Sequence, residues 1–597
     1  MKGKRLVVQL AVLLTVVLTW TVGTRGAREQ SNVETSLQTY QSEQGYRPEV
    51  EIWGREAMVV SAAPLATQAG ARILAAGGNA VDAAVAVGAA LNVTKFNSCQ
   101  LGGDTVMLIY WAESGEFITL DAYSKVPAQP DLRERLKALQ GVEGNLEAHQ
   151  EEPRTRNPQT GFRPRGDGVL VSMIPGTTAA WTRAMERFGT KPLEEVFAPA
   201  IDYAENGFPV NSGLARSLQS NAEIMMQYAS TAKAFYAGGR PPEPGELLVQ
   251  KDLAGTLRKI SEGGFDAFYK GEIAEAIVDY VQAHGGVITM EDMAGYDVVW
   301  RQPYRTTYRG YDVVAAPPPT SGIHVLQQLN IVEGYDLNRM GYHSADALHV
   351  MIEATKLAGA DRRAMGGDPD FVDMPVEGLL SKEYAAKRRL MVDMDRAMEP
   401  KYEGGDPLAY ESQDTTHFVV RDKWGNTVTT TTTLGSGFGS KEVIEGTGLL
   451  LQDRTWWLAL DPPSPNIVAP GRRANIGHAP IIILKDEEPF MAIGSPGGDT
   501  IRQTVFQGIV NVIDFGLNMQ QAVEAARFSA NPLKNEVRID SRISADVLAE
   551  LNRRGHVLPR IGPWQGPGTL AAFAIDGESG VIMAGYDPKG GSIAIGW

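Results

Sequence analysis

The chain is almost without cysteine. Cys99 is the only one among 597 residues, so no disulfide can form within the chain. It lies between an apolar helix pattern and a glycine loop, with no histidine near it in the sequence. Because a thiol nucleophile needs an activating base or a positively charged surrounding, we do not expect cysteine chemistry.

Positive charge is scarce as well. Lys and Arg number 56 against 71 Asp and Glu, which gives a net charge of -15 at pH 7. Binding to nucleic acid or to an anionic membrane surface depends on an excess of Lys and Arg. The composition therefore argues against both kinds of partner and is typical of an acidic protein surface.

Histidines are few and show no metal-binding pattern. There are eight, and the pair His343 and His349 is spaced six residues apart, which does not place both on one helical face. The glycine-rich stretch Gly435–Gly439 lacks the spacing of a dinucleotide-binding loop. We expect neither a metal nor a cofactor.

Long apolar runs are missing except at the N-terminus. There, Leu6–Trp20 follows three basic residues and precedes small ones, the order of an export signal, which we place at residues 1–27. The run is short for a spanning helix, which needs about 20 apolar residues. We expect an exported, periplasmic or extracellular protein, with an uncleaved anchor as the alternative. Residues 28–54 are polar and predict a linker.

The remaining chain changes from helix patterns to strand patterns. Pro64–Ala75 predicts a helix, and Asn79 is the expected cap of the next one, Ala80–Leu91. Strand patterns dominate after residue 415, which by itself indicates an α/β or α+β fold. The charged segment 133–167, with Pro and Gly, predicts a surface insertion.

One β-hairpin contains a pattern with chemical meaning. Residues Asp414–Gly439 read DTTHFVVRDKWGNTVTTTTTLGSGFG, with two strand-like arms and a Gly-Asn turn signal. If the turn is centred on Trp424, Thr415 faces Thr433 and two hydroxyls meet across the strands. Threonine is also a good strand former, so the pattern alone leaves a structural and a catalytic interpretation open.

This hairpin resembles the start of the small subunit in the gamma-glutamyltransferase family, also called gamma-glutamyltranspeptidase or glutathione hydrolase. Other stretches similar to the family follow the same order between about residues 55 and 590. They are Gly77–Ala84, Leu101–Gly103, Phe197–Ala200, Asn206–Pro209, Pro317–Gly322, Lys356–Ala358 and Gly494–Gly498.

The resemblance implies a fold and a maturation step. The fold would be an α/β class, four-layer α/β/β/α sandwich of the N-terminal nucleophile hydrolase type, formed from two autocleaved subunits. Cleavage would fall between Asp414 and Thr415. The products would be a large subunit, 55–414, and a small catalytic subunit, 415–597, which stay associated.

The resemblance also implies catalytic roles. Thr415 would be the nucleophile, Thr433 its hydrogen-bonding partner, and Gly497 and Gly498 the backbone donors to the developing oxyanion. An N-terminal threonine needs no partner histidine, because its α-amine, with a pKa near 7.7–8.0 in model compounds, can take the hydroxyl proton. His417, two residues further on, is expected to be structural.

The residues that would read the amino-acid end of a gamma-glutamyl group depart from the family pattern. Tyr123 replaces an arginine, Gly435 an asparagine, Arg454 a glutamine and Trp457 an aspartate, while Ile476 and Gly477 replace paired serines. Either Arg454, Arg473 or Lys125 supplies the missing cation, or the acyl group is not glutamyl. Trp456 and Trp457 would suit a flatter, apolar acyl group, although tryptophan is equally common in cores.

Taken together, the resemblance predicts a self-processing enzyme with an N-terminal threonine. It would transfer a gamma-glutamyl or related acyl group from a small-molecule amide, such as glutathione, to water or an amine. Two alternatives stay open: an acylase-like amidohydrolase of the same family acting on a non-glutamyl amide, and a non-catalytic binding protein that retains the fold.

Overall fold

The computed structural model describes residues 50–140, 167–399, 415–462, 464–531, 535–559 and 561–597. The predicted export signal at 1–27, the linker residues before Val50 and the predicted cleavage residue Asp414 lie outside these ranges. Within the ranges, no helix has the length and apolar character needed to cross a membrane.

Two seven-stranded antiparallel sheets form the centre of the fold. In chain order the strands are β1 (Ile52–Gly54), β2 (Met58–Ser61), β3 (Asp104–Trp111), β4 (Glu116–Ala122), β5 (Phe208–Pro209), β6 (Leu247–Leu248), β7 (Val299–Arg301), β8 (Tyr304–Tyr308), β9 (Tyr311–Ala315), β10 (Thr415–Arg421), β11 (Thr427–Thr433), β12 (Val443–Ile444), β13 (Leu449–Leu450), β14 (Ile481–Lys485), β15 (Glu488–Gly494), β16 (Phe528–Ala530), β17 (Val537–Ile539), β18 (Ala571–Ile575), β19 (Ile582–Tyr586) and β20 (Ile593–Gly596).

The sheets mix strands from both sides of residue 415. Sheet 1 has the order β1-β19-β18-β15-β14-β9-β8, and sheet 2 has the order β20-β2-β10-β11-β3-β4-β7. Each sheet is thus hydrogen-bonded across the boundary between the two predicted subunits. A cut before Thr415 would leave these ladders intact, since no strand contains the boundary.

Helices cover the outer faces of both sheets. In chain order they are α1 (Pro64–Ala75), α2 (Ala80–Thr94), α3 (Leu132–Gln140), α4 (Thr177–Phe188), α5 (Leu193–Asn206), α6 (Ser212–Met225), α7 (Ala229–Phe235), α8 (Lys251–Tyr269), α9 (Glu272–Ala283), α10 (Met290–Ala294), α11 (Gly322–Val332), α12 (Leu337–Met340), α13 (Ala345–Met365), α14 (Val376–Leu380), α15 (Lys382–Arg389), α16 (Ile501–Ile513), α17 (Met519–Glu524) and α18 (Ala545–Arg553). The predicted cap Asn79 accepts from two backbone N–H groups of α2.

The buried clusters define four layers. Helices α1, α2, α4, α5, α8 and α9 pack on sheet 2 in one large cluster that includes Phe418 and Val428. A second cluster lies between the sheets, with Val419 of sheet 2 and Ile482 and Phe573 of sheet 1. Helices α11, α16 and α17 contact sheet 1. The predicted α/β/β/α sandwich is confirmed.

The central hairpin has the predicted register. β10 pairs with β11 so that Thr415 lies opposite Thr433 and His417 opposite Thr431. Side chains alternate between the faces of a strand. Since Val419 belongs to the cluster between the sheets, Thr415 and His417 point into the same inter-sheet space.

The predicted linker and the predicted surface insertion each overlap an element of regular secondary structure. The predicted linker 28–54 ends too late, because Ile52–Gly54 pairs with β19 and forms an edge strand of sheet 1. The predicted insertion 133–167 begins inside helix α3, whose Leu132 and Leu136 are buried in an apolar cluster. The four-residue spacing of these leucines places both on one helical face, which the charged residues around them obscured. Residues 141–166 lie outside the described part.

Candidate active site

Thr415 is the first residue of β10 and is 3% exposed. Its Oγ1 donates to Thr433 Oγ1 at 3.2 Å. The backbone N–H of Gly435 donates to the same Thr433 oxygen at 2.9 Å. The Thr433 hydroxyl is therefore held from two sides, and it fixes the position of the Thr415 hydroxyl.

His417 lies on the same strand face but is already fully engaged. Its Nδ1 is 2.9 Å from Thr431 Oγ1, and its Nε2 is 3.0 Å from Thr429 Oγ1. The ring packs so closely on Gly494 of β15 that a Cβ there would overlap it. Burial lowers the pKa of His417 to about 3. The side chain is therefore neutral at ordinary pH, and it packs between β10 of sheet 2 and β15 of sheet 1.

Gly497 and Gly498, here called the glycine turn, connect β15 to α16. Their φ angles are +127° and +56°, a region that favours glycine. Thr500 Oγ1 donates to Gly497 O at 2.7 Å. Residues Gly498–Thr500 form a 3-10 turn that continues into α16. The turn thus precedes the positive end of a helix dipole, a favourable place for a developing negative charge.

Two contacts hold the glycine turn in place. A Cβ at Gly477 would overlap the carbonyl oxygen of Gly498, so only glycine allows this approach. Next along the chain, Asp499 lies 3.0 Å from Arg362 and 3.5 Å from Arg502. Burial alone would raise the pKa of Asp499, but the charges of Arg362, Arg502 and Arg363 outweigh it and lower that pKa.

Tyr123 is 1% exposed. Its hydroxyl is 2.9 Å from His478 Nδ1, and the two rings lie 5.4 Å apart between centroids. It belongs to an apolar cluster that includes Ile476, with Trp457 packed against it. Burial raises the pKa of Tyr123 well above its ordinary value. Three of the predicted substrate-binding positions therefore lie together, in an apolar environment.

Gly435 allows a backbone conformation and a close contact that a side chain would prevent. Its φ is +101°, and a Cβ there would overlap Asp453 Oδ1. The missing side chain lets Asp453 accept from the backbone N–H of Ser436 at 3.0 Å and from the Ser436 hydroxyl. The end of β11 is thereby tied to the segment that carries Arg454 and Trp457.

Arg454 is a buried cation near the two threonines. Its Nε donates to Asp104, the residue paired with Thr433 across β3 and β11. The guanidinium lies 5.1 Å over the ring of Trp457. Its Nη2 is buried and makes no hydrogen bond within the described residues. The charge of Arg454 is neutralised by the protein itself.

The other two candidate cations differ from each other. Arg473 is buried and forms its shortest ion pair, 2.9 Å, with Asp370. Lys125 is half-buried and lies 5.3 Å over the ring of Tyr296. Burial, followed by the nearby charge of Arg473, lowers the pKa of Lys125. Among the described residues, the ammonium of Lys125 is the one of these three cations without an ion pair.

A cluster elsewhere has metal-binding residue types. His349, Glu353 and His556 bring ligand atoms within 4.8 Å of one another. However, Lys356 Nζ donates to Glu353 at 2.8 Å and lies 3.4 Å from His556 Nδ1. The two imidazoles are linked at 2.8 Å, and the far nitrogen of His349 is 2.8 Å from Asp393 O. The ammonium supplies the positive charge here, and the donors and acceptors form a continuous network.

The geometry can be compared with known proteins. The family model described as Gamma-glutamyltranspeptidase matches residues 66–597. The chain belongs to the gamma-glutamyltranspeptidase family. It is therefore an enzyme of a family whose curated relatives are hydrolases and acylases.

Three proteins similar to this gamma-glutamyltranspeptidase-family chain include both a glutathione hydrolase and acylases. It is 38% identical over 549 residues to the glutathione hydrolase proenzyme of Escherichia coli K12, covering 90% of each chain. It is 37% identical over 527 residues to the acylase ACY 1 proenzyme of Pseudomonas sp. strain SE83, covering 88% of this chain and 91% of that one. The crystal structure of cephalosporin acylase from Bacillus halodurans superposes with a TM-score of 0.82 at 32% identity, covering 92% and 97%.

Three residues in the site of this gamma-glutamyltranspeptidase-family chain were not predicted from the sequence. Asp104 binds Arg454, Asp453 anchors the loop after β11, and His478 contacts Tyr123. Asp104 follows two glycines at a strand start, a place where a side chain often points into a site. The other two had no signal of their own, because their partners are distant in sequence.

Proposed function

We propose that this chain is a self-processing amidohydrolase or acyltransferase that uses Thr415 as an N-terminal nucleophile. The observation that carries the proposal is the 3.2 Å contact between Thr415 and Thr433 at the inter-sheet end of β10. That contact orients a hydroxyl whose own nitrogen, once free, is the nearest possible base. Family membership supports the same assignment.

Maturation would use the same hydroxyl. Thr415 Oγ1 gives up its proton as it bonds to the Asp414 carbonyl carbon, the peptide C–N bond breaks, and the nitrogen takes that proton to become the α-amine. Water then hydrolyses the resulting ester and restores the hydroxyl. The two fragments would stay together, because both sheets contain strands from each.

Turnover would follow the same bond changes with an external amide. The α-amine takes the Thr415 proton while the oxygen bonds to the substrate carbonyl carbon. The leaving amine departs with that proton, and water or another amine attacks the acyl ester. The N–H groups of the glycine turn would bind the oxyanion, and such donors are worth about 2.7–4 kcal/mol each.

The two buried arginines near the site, Arg454 and Arg473, already form ion pairs with aspartates, which favours an acyl group other than glutamyl. Arg454 and Arg473 are neutralised by Asp104 and Asp370, and the Tyr123 hydroxyl is occupied by His478. A zwitterionic glutamyl end needs free charged partners, and a site without them discriminates against it. The acylase relatives fit this candidate.

A gamma-glutamyl donor is the second candidate, and Lys125 supports it. The ammonium of Lys125 lies close in sequence to Tyr123 and makes no ion pair among the described residues, so it could meet an α-carboxylate. The 38% identity to a glutathione hydrolase also favours this donor. The acceptor, water or amine, would be set by the same site.

We also propose export, with residues 1–27 as the signal. The measured mass of the mature protein would show whether that segment is removed. Recovery of the protein in the cytosol alone would rule the proposal out.

One experiment tests the main proposal. The purified protein is analysed by intact mass and by N-terminal sequencing of each fragment, and the processed form is then assayed on p-nitroanilides of gamma-glutamate and of uncharged acyl groups. We expect a small fragment beginning Thr-Thr-His and release of p-nitroaniline. An intact chain without amide hydrolysis would favour the non-catalytic alternative.

A further inference from the structure

A second loop lies against the glycine turn. This wall loop, Gly566–Gly568, is placed there by sheet 1, since Gly494 at the end of β15 pairs with Ala571 at the start of β18. A Cβ built on Gly497 would be 3.5 Å from Gly568 Cα. A Cβ built on Gly568 would in turn overlap Thr504 Oγ1 and lie 3.0 Å from Ser495 Oγ. The wall loop therefore lies directly beside the glycine turn and the residues on either side of it, with no more space between them than a methyl group fills.

Two cationic side chains hold the wall loop by its backbone. Arg527 donates from Nε to Pro567 O at 3.1 Å and from Nη2 to Gly568 O at 3.1 Å. Lys589 donates from Nζ to Gly568 O at 2.8 Å and to Gly566 O at 3.1 Å. Three successive carbonyl groups are thus each bound by an N–H group of Arg527 or Lys589, and hydrogen bonds from the charged guanidinium are about twice as strong as neutral ones.

These cations are held where their burial is costly. The side chains of Arg527 and Asp587, which form an ion pair, are 1% and 0% exposed. Lys589 Nζ lies 4.0 Å from the same Asp587 carboxylate, and its side chain is 14% exposed. Burial, followed by the charge of Arg527, lowers the pKa of Lys589 to about 7. Such an arrangement persists only when the hydrogen bonds it makes offset the desolvation.

We propose that Lys589 and Arg527 are positioning residues for the reaction, which act by fixing the wall loop and, through it, the N–H groups of the glycine turn. Both residues act on the backbone of the wall loop. The inference rests on the proposed role of Gly497 and Gly498 as oxyanion donors.

The expected effect follows from the geometry that oxyanion donors require. Loss of one donor costs about 100- to 1,000-fold in kcat, and a small misplacement costs part of that. Replacing Lys589 by Met removes the ammonium but keeps the apolar stem. We expect kcat of the processed enzyme to fall about 10-fold or more, while KM changes less than about twofold, because an oxyanion forms only in the transition state.

The test compares matched variants of the full chain. Lys589→Met is measured beside Lys589→Arg, which retains a charged donor, and beside Lys485→Met, which removes an exposed lysine at the end of β14. Each is assayed for kcat, KM and thermal midpoint on the p-nitroanilide that the wild type cleaves fastest. A purely structural role would lower the midpoint without a selective loss of kcat.

The kcat values of the variants decide whether Lys589 is a positioning residue. A selective loss of kcat in K589M that K589R restores, with K485M like the wild type, supports the proposal. A wild-type kcat in folded K589M overturns it. If K589M does not fold, Lys589→Leu, which also lacks a donor, is used: a reduced kcat supports the proposal and an unchanged kcat overturns it. Absence of amide turnover by the wild type would instead refute the proposed function itself.

Discussion

The hydroxyl oxygens of Thr415 and Thr433 lie 3.2 Å apart across the hairpin, in the space between the two sheets. The register of β10 and β11 places them opposite each other, and the N–H of Gly435 holds Thr433 from the far side. Because Thr415 is part of a strand, the sheet itself positions its side chain, and the position of the hydroxyl does not depend on a flexible loop.

Thr415→Ala should prevent both the cut and amide hydrolysis, because one hydroxyl is proposed to perform both. Intact mass would show a single uncut chain, and p-nitroaniline release would be absent. Thr415→Ser is the matched control, since it keeps the hydroxyl and should be processed. Two fragments from the alanine variant would contradict the assignment.

Thr433→Val should keep the strand but lose the hydroxyl that orients Thr415. One hydrogen bond of this type contributes about 0.5–1.5 kcal/mol, and a buried donor left unpaired, here the Thr415 hydroxyl or the Gly435 N–H, costs about 1–3 kcal/mol. We expect kcat of the processed enzyme to fall about 10- to 100-fold. Thr430→Val is the control on the same strand, because the buried Thr430 Oγ1 makes no hydrogen bond within the described residues. Equal loss in both variants would count against a specific role for Thr433.

Gly477→Ala should impair turnover without touching any reacting atom. The added methyl would overlap the Gly498 carbonyl oxygen and push the glycine turn away. We expect kcat to fall at least about 10-fold, measured on processed enzyme. Gly378→Ala is the control, since a Cβ there meets no heavy atom within 4 Å. A normal kcat in G477A would mean that the turn tolerates displacement.

Tyr123→Arg tests why the donor site departs from the family pattern. If the missing cation limits gamma-glutamyl turnover, kcat/KM for gamma-glutamyl-p-nitroanilide should rise, whereas the unfolding midpoint should fall because a guanidinium enters an apolar cluster. Tyr123→Phe, which only removes the hydroxyl that contacts His478, serves for comparison. No gain in folded Y123R would show that Tyr123 is not the limiting difference.

Acid should destabilise the fold through buried neutral histidines. The pKa of His417 is lowered to about 3 by burial, below the unfolded value of about 6.5. Between pH 6.5 and 3 the unfolded chain therefore binds a proton that the folded chain does not, and the free energy of unfolding falls as pH falls. His417→Gln should reduce this slope by up to about 1.4 kcal/mol per pH unit. Urea unfolding at pH 7, 5.5 and 4.5 measures it, and an unchanged slope would contradict the neutral state.

Some features of this protein follow from local sequence. The hairpin register follows from the turn position and from side-chain alternation along strands, so the residue order alone predicts that Thr415 lies opposite Thr433. The helix Pro64–Ala75 and Asn79 as the cap of the next helix follow from similar short-range rules. Element boundaries follow less closely: the helix predicted as Ala80–Leu91 continues to Thr94.

What lines the site was decided only by tertiary structure. Arg454 was a candidate for a free cation, but Asp104, 350 positions away, neutralises it. From the sequence, Gly435 and Gly477 are positions where a substrate-binding side chain of the family is missing. In the structure, another segment approaches the backbone at each of them too closely for a Cβ. Sequence patterns such as strand alternation and helix caps depend on interactions between residues that are close together in the chain. Ion pairs and close backbone contacts between distant segments arise only when the sheets and helices pack, and those contacts decide which charges remain available to a substrate.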